Sequence, residues 1–357
     1  MDSTEKLFKE LTEAAGVSGY EGEVRAIIRR HLEPVARIEH DKLGSIIGVK
    51  RGSADAPRVM LAGHMDEVGF MVSLITDEGF IRFVPLGGWW NQVMLGQRVV
   101  VKTSTGDVPG MLGAKPPHLL DAEEAKKVVE KKDMYIDIGA TSADEVKACG
   151  VRLGDPVIPI CPFTVMAPGK TYLGKAWDDR LGCALFIQAL HRLQGQDHPN
   201  TLYGVGTVQE EEGLRGARTS VHNINPDVAI ILEADIAGDV PGIKPEESPI
   251  KLGKGPSLLL YDAGMIPNLR LRDLVIATAE ENKIPLQFST VRGGATDGGV
   301  IHMHNEGVPT VVLAVPTRHI HSHAGIIRRA DCDHALDLLV KLILRLDKAT
   351  VKGLTAQ

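Results

Sequence analysis

The 357-residue chain is poor in aromatic side chains: Trp, Tyr and Phe (3, 5 and 7 residues) make up 4% of it. Any core must therefore be aliphatic, and the aromatic platforms that usually line a glycan cleft are scarce. Cysteine is scarcer still. Cys149, Cys161, Cys183 and Cys332 form no CxxC pair, which disfavours a zinc ribbon or a disulfide scaffold and is expected of reduced core thiols in a cytoplasmic protein. No run of about 18 apolar residues occurs, so no membrane-spanning helix is expected. The opening MDSTEKLFKELTEAAG is charged and amphipathic and lacks the apolar stretch of a secretory signal. A basic excess is also missing: 40 Lys and Arg face 46 Asp and Glu, a formal charge of −6, which argues against a nucleic-acid partner. GxGxxG after the first strand, GxxxxGK[ST], GxSxG and HExxH are all absent, so nucleotide binding, a serine nucleophile and a zincin site have no support.

What is present is a 43% hydrophobic chain rich in glycine (38) and histidine (13). Helical periodicity covers residues 4–15 and 21–33. Short strands follow at 46–50 and 57–63, the second (PRVMLAG) apolar throughout, as in a strand covered on both faces. From residue 68 to about 166 the texture changes to short β runs at 69–75, 80–85, 98–103, 108–112, 135–139 and 156–160. Helical patterns at 122–130 and 142–148 interrupt them. This reads as a β-rich module spliced into a larger domain. After residue 178, helices and strands alternate. Helices are expected at 179–192, 214–221, 271–282, 297–304 and 331–345, and strands at 201–208, 227–232, 285–290 and 309–315. Apolar strands alternating with helices imply an α/β fold with a mixed, largely parallel sheet flanked by helices. The tail after Leu346 reads as frayed.

Metal-type side chains gather at one place in this pattern. PRVMLAG runs into His64 and Asp66, TLYGVGTV into Gln209, Glu210 and Glu211, DVAIIL into Glu233, and PTVVLAV into PTRHIHSH with His319, His321 and His323. Ligands of open α/β sheets bind beyond the carboxyl ends of the strands, and four apolar strands each deliver His or carboxylate there. Two histidines with several carboxylates suit Zn²⁺, Co²⁺ or Mn²⁺, and a carboxylate can bridge two ions. Taken singly the residues have plainer readings. Asp178 is also a helix N-cap candidate, Glu210 to Glu212 a solvated acidic turn, His319 and His323 rim residues, and Asp235 a rival to Glu233.

Read as an ordered set, AGHMDEVGFMV, KPPHL, GKAWDDRLGC, TVQEEEGLRGA, AGDVPG, GGATDGG and VPTRHIHSHAGI resemble the dinuclear metalloaminopeptidases of the tetrahedral (TET) type, peptidase family M forty-two, which includes glutamyl and deblocking aminopeptidases. The motifs span residues 16 to 330. The resemblance implies a phosphorylase/peptidase-like catalytic domain (1–67 and 167–357) and a PDZ-like dimerisation domain (68–166). Two divalent ions, Zn²⁺ or Co²⁺ with Mn²⁺ also compatible, would be held by His64, Asp178, Glu211, Glu233 and His321, with Asp178 bridging. Glu210 would be the general base and acid, and Asp66 would orient His64. Glu233 stands where the family usually has Asp. The implied activity is removal of N-terminal residues from short peptides by a homo-oligomer, dimers building a dodecamer in the cytoplasm, with no nucleic-acid or membrane partner. Two other readings remain open on the residues: a hydrolase of another amide or a glycan, since members of the family have been labelled cellulases, and a non-catalytic metal-binding assembly protein.

Overall fold

A computed structural model of the chain describes residues 1–167 and 169–355. Two amphipathic helices, Ser3–Glu13 (α1) and Gly22–Leu32 (α2), open it. Leu7, Phe8 and Leu11 recur on one buried face of α1, and an Asp2–Glu5 capping box satisfies its first amides. Strands Arg37–His40 (β1), Ile46–Arg51 (β2) and Arg58–His64 (β3) follow. The chain then runs through Gly69–Ile75 (β4), Ile81–Leu86 (β5), Arg98–Thr103 (β6), Gly106–Gly113 (β7), Tyr135–Asp137 (β8), helix Ala143–Ala148 (α3) and Pro156–Pro159 (β9). These six strands close into a barrel, β4-β5-β8-β7-β6-β9. Phe70, Ile81, Val99, Leu112, Ile136 and Val157 belong to a hydrophobic cluster of its own.

Strands Thr164–Val165 (β10) and Thr171–Gly174 (β11) lead back to the main body. There α4 (Trp177–Arg192), β12 (Thr201–Thr207), α5 (Arg215–Ile224), β13 (Val228–Ile236) and β14 (Ser257–Asp262) follow in turn. The chain continues with α6 (Leu269–Glu281), β15 (Gln287–Val291), α7 (Gly298–Ile301), β16 (Thr310–Thr317), β17 (Gly325–Arg328), α8 (Arg329–Arg345) and α9 (Lys348–Thr355). The main sheet has eight strands in the order β1-β2-β12-β3-β13-β16-β14-β15. Its middle four, β12, β3, β13 and β16, are parallel, whereas β2 and β14 join them antiparallel. Their carboxyl ends therefore open on one edge.

Strand alternation decides what each face receives. On β3, Val59 and Leu61 enter the core shared with α1, α4 and α8, while Met60 and Ala62 enter the core shared with α5 and α7. Full burial of such a side chain contributes about 1.5–3 kcal/mol, so a one-residue slip in register is strongly disfavoured. The same alternation places His64, and Glu233 and Asp235 on β13, on the α5/α7 side. Helix α4 approaches β3 where neither carries a side chain. A Cβ on Gly63 would lie 2.7 Å from the Gly182 carbonyl carbon, and one on Gly182 would lie 2.5 Å from the Leu232 oxygen.

Most expected elements form, with informative exceptions. Residues 122–130 make no α-helix, only a 3₁₀ turn at Glu124–Lys126. Val128 is exposed, and a short helix without a face to bury is unstable in water. The tail is not frayed: Val351 and Leu354 of α9 are buried, and Arg270 and Asn268 donate to the Gly353 and Leu354 carbonyls. Strand β13 runs on to Ile236, so Glu233 and Asp235 lie within the strand. The expected 297–304 helix shrinks to α7. Strands β1, β10, β11, β14 and β17 were not expected. Cys183 and Cys332 are buried core thiols, but Cys149 is exposed and Cys161 half-buried; all four are free. Among the described residues, no helix is long and apolar enough to cross a membrane.

Candidate metal centre

The parallel strand ends bring the sequence-selected residues together. His64 is the last residue of β3 and is 2% exposed. Its Nε2 lies 2.9 Å from Asp178 Oδ1 and 3.8 Å from both Glu210 Oε2 and Glu233 Oε1. Across Asp178, the other carboxylate oxygen Oδ2 lies 3.2 Å from His321 Nε2, and Glu211 Oε1 lies 3.5 Å from that nitrogen. Asp178 thus presents one oxygen to each histidine. Among the described residues, two groups have ligand atoms close enough to share an ion: His64, Glu210 and Glu233, and His64, Asp178 and Glu211.

Local backbone explains how the side chains reach this point. Asp178 and Asp179 lie at the start of α4 but leave helical geometry (φ/ψ −86/103 and −126/44), and their peptide bond is cis. Among the described residues the Asp178 carboxylate accepts no helix amide and meets only the two histidines, so it does not cap α4. Asp179 turns back and accepts the His64 and Gly182 amides at 3.0 and 2.8 Å, tying α4 to β3. His321 is held by the barrel side of the molecule, its Nδ1 2.8 Å from the Gly88 carbonyl after β5. A Cβ on Gly88 would lie 3.0 Å from the ring Nδ1, so any larger residue would push the ring by a few tenths of an ångström. The neighbouring Gly87 donates to Glu212 Oε1 at 2.8 Å, which turns Glu212 away from the cluster and toward backbone.

Asp66 is fully buried and does more than face His64. The His64 Nδ1 is nearer the Asp66 backbone carbonyl (3.0 Å) than its carboxylate (3.5 Å). The carboxylate accepts the amides of Glu210 (2.9 Å) and Glu211 (3.2 Å) and the Ser18 hydroxyl (2.6 Å). Asp235 is fully engaged by Ser257 and Ser289, which leaves Glu233 as the β13 carboxylate next to His64. His319 and His323 belong to neither group, although His319 lines a small cavity with Asp178, Glu211 and His321. His323 is buried against the Trp89 ring, 4.9 Å between centroids.

The electrostatics are those of too many carboxylates in too little water. Burial pushes Glu210, Glu233 and Asp179 well above the ordinary carboxylate range, with neighbouring acids adding to it. Burial and Asp178 push Glu211 up to about 7. Burial opposes charge on His64, yet Glu210 and Asp178 hold it well above its usual value. His321 behaves likewise, reaching about 10 through Asp178 and Glu211 against its own burial. Burial would raise Asp178, but the two histidines hold it far down. Glu211 Oε1 is buried with no hydrogen-bond partner among the described residues. An orphaned carboxylate oxygen beside two imidazoles and a bridging aspartate fits divalent cations bound by N and O donors.

Three residues escaped the sequence reading. Ser18 and Glu21 touch this region from the N-terminal segment, and Asp297 accepts the Thr207 hydroxyl at 2.6 Å beneath it. Burial pushes Asp297 up to about 6. Glu21 reads locally as one more acid at a helix start. Asp297 lies in GGATDGG, one of the motifs that carry the resemblance, but the sequence reading gives this acid no role.

A largely parallel sheet with helices on its faces, a barrel beside it and a His–carboxylate cluster at the strand ends place the chain among mixed α/β proteins of the aminopeptidase class. The chain belongs to the M42 glutamyl aminopeptidase family, whose model matches residues 44–338. It is 45% identical over 336 residues to the putative aminopeptidase FrvX of Escherichia coli K12, covering 94% of this chain and 93% of that one. A crystal structure of a TET aminopeptidase from the marine sediment archaeon Thaumarchaeota archaeon SCGC AB-539-E09 superposes with a TM-score of 0.97 at 53% identity, covering 99% of both chains. The Pyrococcus horikoshii TET1 peptidase, described as assembling into a tetrahedron or a large octahedral shell, gives a TM-score of 0.87 at 31% identity over 96% of this chain and 100% of that one.

Proposed function

We propose that the chain is a cytoplasmic, two-metal aminopeptidase that removes N-terminal residues from short peptides. The observation that carries this reading is Asp178, whose two oxygens face His64 and His321 separately. In this arrangement His64 and Glu233 would hold one divalent ion, Glu211 and His321 the other, and Asp178 both. Zn²⁺ and Co²⁺ suit the set, and Mn²⁺ is also compatible. Bound there, the ions would polarise the scissile carbonyl and acidify the attacking water.

The remaining work falls to the protein. Glu210 sits beside His64 on a turn whose amide is fixed by Asp66. Its carboxylate takes a proton from the attacking water and returns it to the leaving amine. Its upward displacement by burial is the direction such a dual role requires. Asp66 keeps Glu210 and Glu211 in register and keeps the His64 ring in place. The carboxylate-rich walls favour a free α-amine, which selects exopeptidase over endopeptidase action.

The barrel, with the proposed boundaries 68–166, would serve as the dimerisation module between catalytic segments 1–67 and 167–357. Dimers would build a hollow dodecamer, a reading supported by the assemblies named for the P. horikoshii relative. Light scattering after size exclusion checks this; a strict monomer contradicts it. The activity is tested with a panel of aminoacyl anilides after chelation and re-addition of Zn²⁺, Co²⁺ and Mn²⁺. Turnover is expected to vanish and return, and chelator-insensitive turnover contradicts the reading.

A further inference from the structure

The segment that carries Glu210 and Glu211 has an unusual backbone. Gln209 lies in the left-handed region, φ 56°, although it is not glycine. A non-glycine residue there is strained and persists only where its surroundings hold it. Three successive amides are held. Asp66 takes those of Glu210 and Glu211. The amide of Gln209 is taken by Glu21, 3.0 Å away and 188 positions earlier in the chain.

Glu21 is only 4% exposed and stands just before α2. It makes no side-chain cap to its own helix. Its Oε1 accepts instead the amides of Gly19 (2.8 Å) and Gln209. From the same turn, Ser18 donates to Asp66 Oδ2. One short N-terminal turn thus reaches both carboxylates that fix the 209–211 amides. Burying an acid at this cost without a cation partner is hard to explain by packing.

We propose that Glu21 is a positioning residue for the reaction: its carboxylate oxygen clamps the Gln209 amide and thereby holds the left-handed turn that aims Glu210 and Glu211 at the metal centre. The inference rests on the assignment of Glu210 and Glu211 above. It makes the N-terminal turn a working part of a site otherwise built from the sheet edge.

Both amides go to a single oxygen, so an amide carbonyl in its place can accept both. Glu21→Ala should therefore lower kcat about 10- to 100-fold, the scale of misplacing a catalytic group by around an ångström, with KM little changed. Glu21→Gln should keep most of the turnover. A readout independent of turnover is hydrogen–deuterium exchange in the metal-free full-length chain. Exchange over residues 209–211 should quicken in Glu21→Ala and stay near wild type in Glu21→Gln. Unchanged kcat and unchanged exchange in folded Glu21→Ala overturn the proposal. Equal damage in Glu21→Gln also overturns it, because the acceptor geometry would then not be what matters. Glu210→Gln, measured in parallel, separates the two levels. If it stays active the underlying assignment falls, whereas a dead Glu210→Gln beside a normal Glu21→Ala refutes the clamp alone.

Discussion

Asp66 and Glu67 are neighbours in sequence and serve two buried charge clusters of opposite character. Glu67 is 2% exposed and meets Lys175 at 2.5 Å and Arg180 at 3.2 Å. The two cations also cover the carbonyls of Leu11, Ala14 and Gly16 at the end of α1 and just beyond. Cations and helix-end carbonyls meet the Glu67 charge within the protein, and Arg180 Nε is the one cation atom there without a partner among the described residues. Asp66 faces the other cluster, where Asp178, Asp179, Glu210, Glu211 and Glu233 surround His64 and His321 and the Glu211 Oε1 has no hydrogen-bond partner among the described residues. Burial of this kind is tolerated only when the charge is met. The closed cluster is architecture, fixing α1 and α4 against the point where the chain enters the barrel. The open cluster has the ligand atoms to hold cations, as proposed above.

That contrast can be broken in several places. The largest effect expected is Glu210→Gln, which should cut turnover by about 10²- to 10⁴-fold while metal content stays at the wild-type value; near-normal activity would remove Glu210 from the mechanism. Next, Glu67→Ala leaves two buried cations without their counter-charge. It should cost about 3–5 kcal/mol of unfolding free energy, seen in denaturant titration, while the folded fraction keeps its metal. If Glu67→Ala lost metal rather than stability, the two clusters would not be separable in this way.

A smaller effect concerns pH. In metal-free protein Glu211 sits at about 7 against an ordinary 4.5. The folded state then binds a proton that the unfolded chain has released. The stability this confers is present below pH 4.5 and is lost as pH rises through about 7. Chelated protein should therefore lose melting temperature over that interval more steeply than the metal-loaded form, because bound cations displace the proton. Parallel melting curves for the two forms contradict it. Smallest is Glu212→Gln, which keeps an acceptor for the Gly87 amide and should change stability and turnover little in the same assays. A large loss there would draw Glu212 into the metal centre.

Much of this site could be read from the chain because it is local in sequence. Each apolar strand carries its His or carboxylate within a few residues of its end, so the rule that parallel strands open on one edge gathers these segments, while the choice of Glu210, Glu211 and His321 within them comes from the family resemblance. Glu233 was found for the same reason, although β13 extends past it. What stayed hidden depends on contacts between distant segments. Nothing near Glu21 announces Gln209, and nothing in GGWW announces that Gly88 will hold His321. The 122–130 segment has helical spacing, but no partner surface covers it. The tail after Leu346 was dismissed because Val351 and Leu354 find their partners in an earlier helix.

The most direct test of the account is the number of divalent ions the chain binds. Chelated protein should be titrated calorimetrically with Zn²⁺ or Co²⁺ in buffers of different ionisation enthalpy. The account predicts two ions per chain, proton release on binding, and loss of this stoichiometry in Asp178→Asn. A chain that binds no divalent ion, or that keeps full peptidase activity without one, would contradict it.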